Sequence, residues 1–133
     1  MTNRIAVLGA GVGLAVSAVV MSVGSAQAGA DRAVVVGHRG SPGQAPEETA
    51  ASYERALAEG AQVLEADVQL TSDGRLVLVH DDTLARTTDV ETVYPDRSPW
   101  RVGQFTLDEI KRLDAGSWFD SRYKGQRVAT LQD

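Results

Sequence analysis

Residues 62–70 sort their side chains by parity. Leu64, Ala66, Val68 and Leu70 fall on one side, and Glu65, Asp67 and Gln69 on the other. A period of two belongs to an extended strand, so this segment predicts a β-strand with one apolar and one polar face. On such a strand Glu65 and Asp67 point the same way, with alpha carbons roughly 6.7 Å apart. At an effective dielectric near 20 the two carboxylates repel by about 2.5 kcal/mol. Two readings of that face stand. Either a hard divalent cation, Ca²⁺ or Mg²⁺, offsets the charges with its preference for oxygen ligands, or the face is wet and the carboxylates are solvated.

The neighbouring segments predict an α/β arrangement. Ala33-Val34-Val35-Val36 is a short apolar run, as expected of a strand buried on both faces. A loop over residues 38–46 follows, then a helix starting at Glu47 or Thr49 and ending at Glu59, with Gly60 as its stop. Thr71-Ser72-Asp73-Gly74 reads as a turn into a further strand over residues 75–79 that leads to His80. A two-residue turn at Asp73-Gly74 would set His80 opposite Asp67; a turn at Ser72-Asp73 would set it opposite Glu65. Thr106 and Glu109 have capping-box spacing ahead of Ile110 and Leu113, which predicts another helix. Residues 87–101, with two prolines and little periodicity, read as a long surface loop, and residues 127–133 begin like a strand.

The first 28 residues have a different character. Arg4 is the only charged side chain before Asp31, and residues 5–23 are rich in Ala, Val, Gly and Leu. Ala26-Gln27-Ala28 ends the run with the small-residue pattern of a cleavage site. The expectation is a signal peptide over residues 1–28, cleaved after Ala28, and a secreted or extracytoplasmic domain over residues 29–133. A membrane anchor competes, since about 20 apolar residues can span a bilayer; with cleavage, no stable span remains. The chain carries a net charge of −5 and no basic run, which argues against nucleic acid as the main partner. It has no cysteine, so disulfides, zinc–thiolate sites and thiol nucleophiles are excluded.

Chemistry gathers around the two histidines. His38-Arg39-Gly40 stands at the end of the first mature strand, where α/β folds bind ligands. A histidine transfers protons near neutral pH, an arginine fork matches phosphate oxygens, and a glycine lets backbone approach a ligand. His80 beside the carboxylate pair suits a titrating role as well as a structural one. Arg86-Thr87-Thr88 offers a cation and hydroxyls, or simply a solvated loop.

The ordered series His38-Arg39-Gly40, Pro46-Glu47-Glu48-Thr49, Glu65-x-Asp67-Val68-x-Leu70-Thr71-x-Asp73-Gly74 and His80-Asp81-x-x-Leu84-x-Arg86-Thr87-Thr88 resembles the glycerophosphodiester phosphodiesterases. Leu113-Asp114-Ala115-Gly116-Ser117-Trp118-Phe119 extends the likeness. The resemblance implies a (β/α)₈ TIM barrel of the phospholipase C-like phosphodiesterase type. It also implies hydrolysis of a small-molecule glycerophosphodiester to sn-glycerol 3-phosphate and an alcohol. By the same carry-over Glu65 and Asp67 bind Ca²⁺ or Mg²⁺, Arg39 holds the phosphate, and His38 and His80 are the general acid and base. One histidine would help a glycerol hydroxyl attack phosphorus while the other protonates the leaving alkoxide. The resulting cyclic phosphate is then opened by water.

Three features depart from that family pattern. Glu48 stands where the family usually has Asn, and either faces away from the site or tightens metal binding. Val128-Ala129-Thr130-Leu131 replaces a usual Ile-Pro-Thr-Leu. A full barrel takes about 250 residues, so 133 residues suggest its N-terminal half, a truncated form whose further metal-binding glutamate is missing. A phospholipase D- or sphingomyelinase-like hydrolase, and an inactive fragment that binds a cation or phosphate, are the rival expectations. The oligomeric state is left open.

Overall fold

The computed structural model describes residues 33–133, together with the backbone of two strands nearer the N-terminus, β1 (Ala6–Val7) and β2 (Ser17–Ser22). The expected leader and its cleavage point after Ala28 therefore fall largely outside the described residues. Among those described, no helix is long and apolar enough to cross a membrane.

The next elements form a β–loop–α–β unit. Strand β3 (Val36–His38) is followed by helix α1 (Ala50–Ala58) and then by β4 (Val63–Leu70), which lies parallel to β3 with His38 opposite Glu65. Thr49 caps α1 by accepting from the Ser52 N–H. At the other end Gly60 N–H reaches the Leu57 carbonyl and Ala61 N–H the Ala56 carbonyl, a Schellman closure. On the opposite edge of β4, β2 pairs antiparallel, Ser17 to Val68 through Ser22 to Val63.

Parallel pairing stops at His38–Glu65, but β4 runs five residues further. That extension forms a hairpin with β5 (Leu76–Leu78). Val68 faces Leu78 and Leu70 faces Leu76, a register between the two that the sequence allowed. The cause is a loop of three residues rather than two. Thr71 N–H donates to the Arg75 carbonyl at 2.9 Å, the Thr71 hydroxyl donates to Asp73 Oδ1 and accepts from Arg75 N–H, and Gly74 takes a φ of +73°. A glycine in left-handed conformation closing a three-residue hairpin is the G1-bulge solution.

Two apolar clusters hold the rest. The larger joins Val77 and Val79 to Leu84, Val90, Val102, Phe105, Ile110, Leu113, Ala115 and Val128. Residues 87–101 are thus not merely a surface loop. The short helix α2 (Val90–Val93) plants Val90 in the core, and Arg97 of the following turn lies over the Phe105 ring. Helix α3 (Leu107–Ile110) carries the expected capping box between Thr106 and Glu109. The smaller cluster packs Ala66, Val68, Leu78 and Ala129 with Tyr53 and Leu131.

Two expectations about strands need correcting. Residues 127–133 form no strand: Ala129 accepts one backbone bond from Leu78, after which the Asp133 carboxylate accepts from Thr130 N–H and turns the segment back. The run before β3 is not buried on both faces either. Val34, Val35 and Val36 are each more than half exposed.

Candidate active site

Arg39 occupies the first residue after β3, in left-handed backbone conformation at φ 57°. This turns its N–H back onto β4, where it reaches the Glu65 carbonyl at 3.0 Å and Glu65 Oε2 at 3.2 Å. A non-glycine residue in this region costs of order 1–3 kcal/mol and persists only where neighbours hold it. The neighbours here are specific. Gly40, at φ +89°, packs so close to α1 that a Cβ would come within 2.6 Å of the Ser52 carbonyl carbon. The Ser52 hydroxyl donates to the Arg39 carbonyl and accepts from Ser41 N–H.

So held, the Arg39 guanidinium lies between two acids. Nε is 2.9 Å from Asp67 Oδ2, and Nη1 is 3.4 Å from Glu47 Oε1. The first contact is short but badly angled. Both Arg39 Nε and Asp67 Oδ2 are buried without a hydrogen-bond partner. Charge attraction is present there, while one donor and one acceptor stay unspent. His38 stands at the rim, mostly exposed, its Nε2 3.8 Å from Glu65 Oε2.

Glu65 and Asp67 share the polar face, as their spacing predicts, at the level where parallel pairing ends. An orphaned buried carboxylate oxygen beside a second carboxylate is the donor chemistry a hard cation takes. The pair fits such an ion but supplies only part of its shell. No group of three His, Cys, Asp or Glu side chains among the described residues is arranged to hold a metal.

Glu48 does not face away. It is buried, at φ 58°, and its Oε1 accepts from the Asp67 N–H at 2.8 Å while Oε2 accepts from the Tyr53 hydroxyl. Burial pushes its carboxyl up to about 7, against the opposing pull of those two hydrogen bonds. Glu48 thereby fills the gap on the β4 edge between β3 and the returning β5. Its carboxylate is committed to the backbone and to Tyr53, and no three-residue metal site forms with it.

His80 arrives by the hairpin. Val79 N–H donates to the Asp67 carbonyl at 3.0 Å, so β5 returns to the level of the acid pair. The observed register puts position 80 level with Ala66, opposite neither Asp67 nor Glu65. Strand geometry has ended at Leu78, and the His80 ring instead pairs Nδ1 with Asp81 Oδ1 at 2.7 Å. The structure thus brings Arg39 to Asp67 and His38 to Glu65, but gives His80 no direct contact with either acid. The connection runs through Asp81, Arg86 and Glu47. Arg86 meets Asp81 and Glu47 at once, and Glu47 meets Arg39. The Arg86 guanidinium holds both Glu47 and Asp81 below the usual carboxylate range, Asp81 down to about 2.

Glu47, Asp81 and Arg86 all stand in the motif series, yet the sequence assigns them no linking role. Glu47 reads as one possible helix start and Arg86 as a cation or a solvated loop, and nothing in their spacing pairs them.

Comparison with known proteins gives this geometry a family. Residues 38–133 match the glycerophosphoryl diester phosphodiesterase family. A glycerophosphodiester phosphodiesterase of Caldanaerobacter subterraneus is 44% identical over 102 residues, covering 77% of this chain and 39% of the relative. One from Bacillus subtilis is 41% identical over 111 residues, covering 77% and 35%. Among solved structures, a glycerophosphodiester phosphodiesterase from Agrobacterium tumefaciens superposes with a TM-score of 0.67 at 42% identity, covering 75% of this chain and 40% of that one. An Oleispira antarctica phosphodiesterase, solved in complex with the product sn-glycerol-3-phosphate, gives 0.65 at 42% identity, covering 74% and 37%. The fold is part of a phosphodiesterase β/α barrel, with Arg39, Glu65, Asp67 and His38 gathered where its parallel strands end. The chain belongs to the glycerophosphoryl diester phosphodiesterase family. It spans about two-fifths of the length of these relatives.

Proposed function

We propose that this chain carries the acid–base and phosphate-binding part of a site that hydrolyses glycerophosphodiesters to sn-glycerol 3-phosphate and an alcohol. The observation that supports it best is the meeting of Arg39, Asp67, Glu65 and His38 where β3 and β4 end their parallel pairing. Arg39, ion-paired to Asp67 through Nε at 2.9 Å, has the planar guanidinium that suits a phosphoryl group.

Asp81 accepts from Nδ1–H of His80 and stabilises the imidazolium, which leaves Nε2 as the proton acceptor. In this reading His80 takes the proton of a glycerol hydroxyl as its oxygen bonds to phosphorus. The bond to the leaving alkoxide breaks, and His38 delivers a proton to that oxygen. Water then adds to phosphorus, the ring P–O bond opens, and the histidines exchange roles. Glu65 and Asp67 would hold a Ca²⁺ or Mg²⁺ ion, which when bound offsets the negative charge of the phosphoryl oxygens. Residues 1–28, nearly uncharged and ending in Ala26-Gln27-Ala28, support export of residues 29–133. N-terminal sequencing of the secreted product would test that part.

The activity is tested by glycerol 3-phosphate release from glycerophosphocholine. Release that is abolished by EDTA, restored by Ca²⁺ or Mg²⁺, and lowered at least 100-fold by His38→Ala is the expected result. Cation binding without turnover would overturn the hydrolase reading in favour of a binding fragment. Turnover of sphingomyelin alone would move the assignment to the lipid-hydrolase relatives.

A further inference from the structure

Arg86 is bound by more acids than a loop arginine needs. Its Nη1 and Nη2 donate to Glu47 Oε2 and Oε1 at 3.0 and 2.7 Å. Its Nε and Nη2 donate to Asp81 Oδ2 and Oδ1 at 2.7 and 3.1 Å. Two forks on one planar guanidinium fix its position and its plane together, which an ammonium could not do. The Arg86 side chain is 43% exposed and that of Glu47 only 11%, so this bidentate network does hold the two loops together. Holding them together does not by itself account for the plane in which the guanidinium is fixed.

What the forks orient is more informative. Asp81 Oδ1 meets both Arg86 Nη2 and His80 Nδ1, so the direction of the Asp81 carboxylate fixes which His80 nitrogen holds the proton and how the ring lies. Glu47 Oε1 meets both Arg86 Nη2 and Arg39 Nη1. One side chain thus spans the loop after β3 and the loop after β5, 39 residues apart in sequence.

We propose that Arg86 is a positioning residue for proton transfer: through Asp81 it sets the tautomer and orientation of His80, and through Glu47 it sets the place of Arg39 relative to that ring. It touches no substrate and acts only through these neighbours. The assignment rests on the phosphodiesterase reading for its chemistry, but the coupling to His80 is testable without turnover.

The full chain, labelled with ¹⁵N-histidine, is compared as wild type, Arg86→Ala, Arg86→Lys and Asp81→Asn by long-range ¹⁵N–¹H NMR above the histidine titration. Wild type should show His80 with Nδ1 protonated and Nε2 bare. Arg86→Ala and Asp81→Asn should show mixed tautomers, and Arg86→Lys an intermediate spectrum. In glycerol 3-phosphate release from glycerophosphocholine with Ca²⁺, Arg86→Ala should lower kcat about 10–100-fold with little change in KM. Added guanidinium should restore part of it, and melting temperature should stay within a few degrees. An Arg86→Ala spectrum identical to wild type overturns the proposal. So does a kcat loss that guanidinium does not relieve and that tracks a lowered melting temperature. If the wild type releases no glycerol 3-phosphate, the hydrolase reading fails, and the His80 spectra alone decide whether Arg86 orients the ring.

Discussion

Arg39 and Glu48 bend the backbone the same unfavourable way and brace each other, since Glu48 N–H donates to the Arg39 carbonyl. The cost of each is met by contacts to β4, so the strain is tied to the acid pair rather than scattered. Glu48 adds a pH dependence. Burial raises its carboxyl from 4.5 to about 7, so the folded chain holds that proton more tightly than the unfolded chain does. Its favourable contribution is fully present below about pH 4.5 and is lost as pH rises through 7. Wild type should lose on the order of 2 kcal/mol relative to Glu48→Gln between pH 5 and 8. Chemical denaturation at several pH values measures this, and parallel pH profiles for the two proteins would refute it. The depressed carboxyls of Glu47 and Asp81 leave that window clear, because their effects lie at more acid pH.

Helix α1 positions the site more than it participates in it. Its Ser52 is the post against which residues 39–41 are folded, and Gly40 is what allows the approach. Gly40→Ala should destabilise the chain by about 2–3 kcal/mol through overpacking and the positive φ. It should also displace Arg39; a melting temperature within a degree of wild type would contradict this. The stop of α1 was legible at Gly60, whereas its start stood open between Glu47 and Thr49; Thr49 is the cap, and Glu47 lies outside the helix. The polar face of β4 was legible in its alternation. The β4–β5 register was not: Asp73-Gly74 invites a two-residue turn, and only the three bonds around Thr71 show the extra residue. Val90 in the core and the Glu47–Arg86 fork were equally hidden, since each depends on partners that sequence spacing does not bring together.

At the scale of the whole molecule, the sheet is well covered near the site and poorly covered where β3 begins. Val34, Val35 and Val36 present a contiguous apolar stretch, 56%, 54% and 51% exposed, on a strand paired only with β4 among the described residues. An apolar strand with an open edge invites self-association. Residues 29–133 in isolation should associate at micromolar concentration, and Val34→Lys with Val36→Lys should reduce this in light scattering. An unchanged particle size would argue that the stretch is covered in solution. The placement of the chemistry has a further consequence, for synthesis. Every group from His38 to Arg86 lies within one continuous stretch, and the bonds that join them close over short sequence distances compared with barrel closure. At roughly 5–20 residues per second, the ribosome exposes that stretch seconds before a whole barrel of this family could exist. Its charged network can therefore close as soon as this stretch alone has been synthesised.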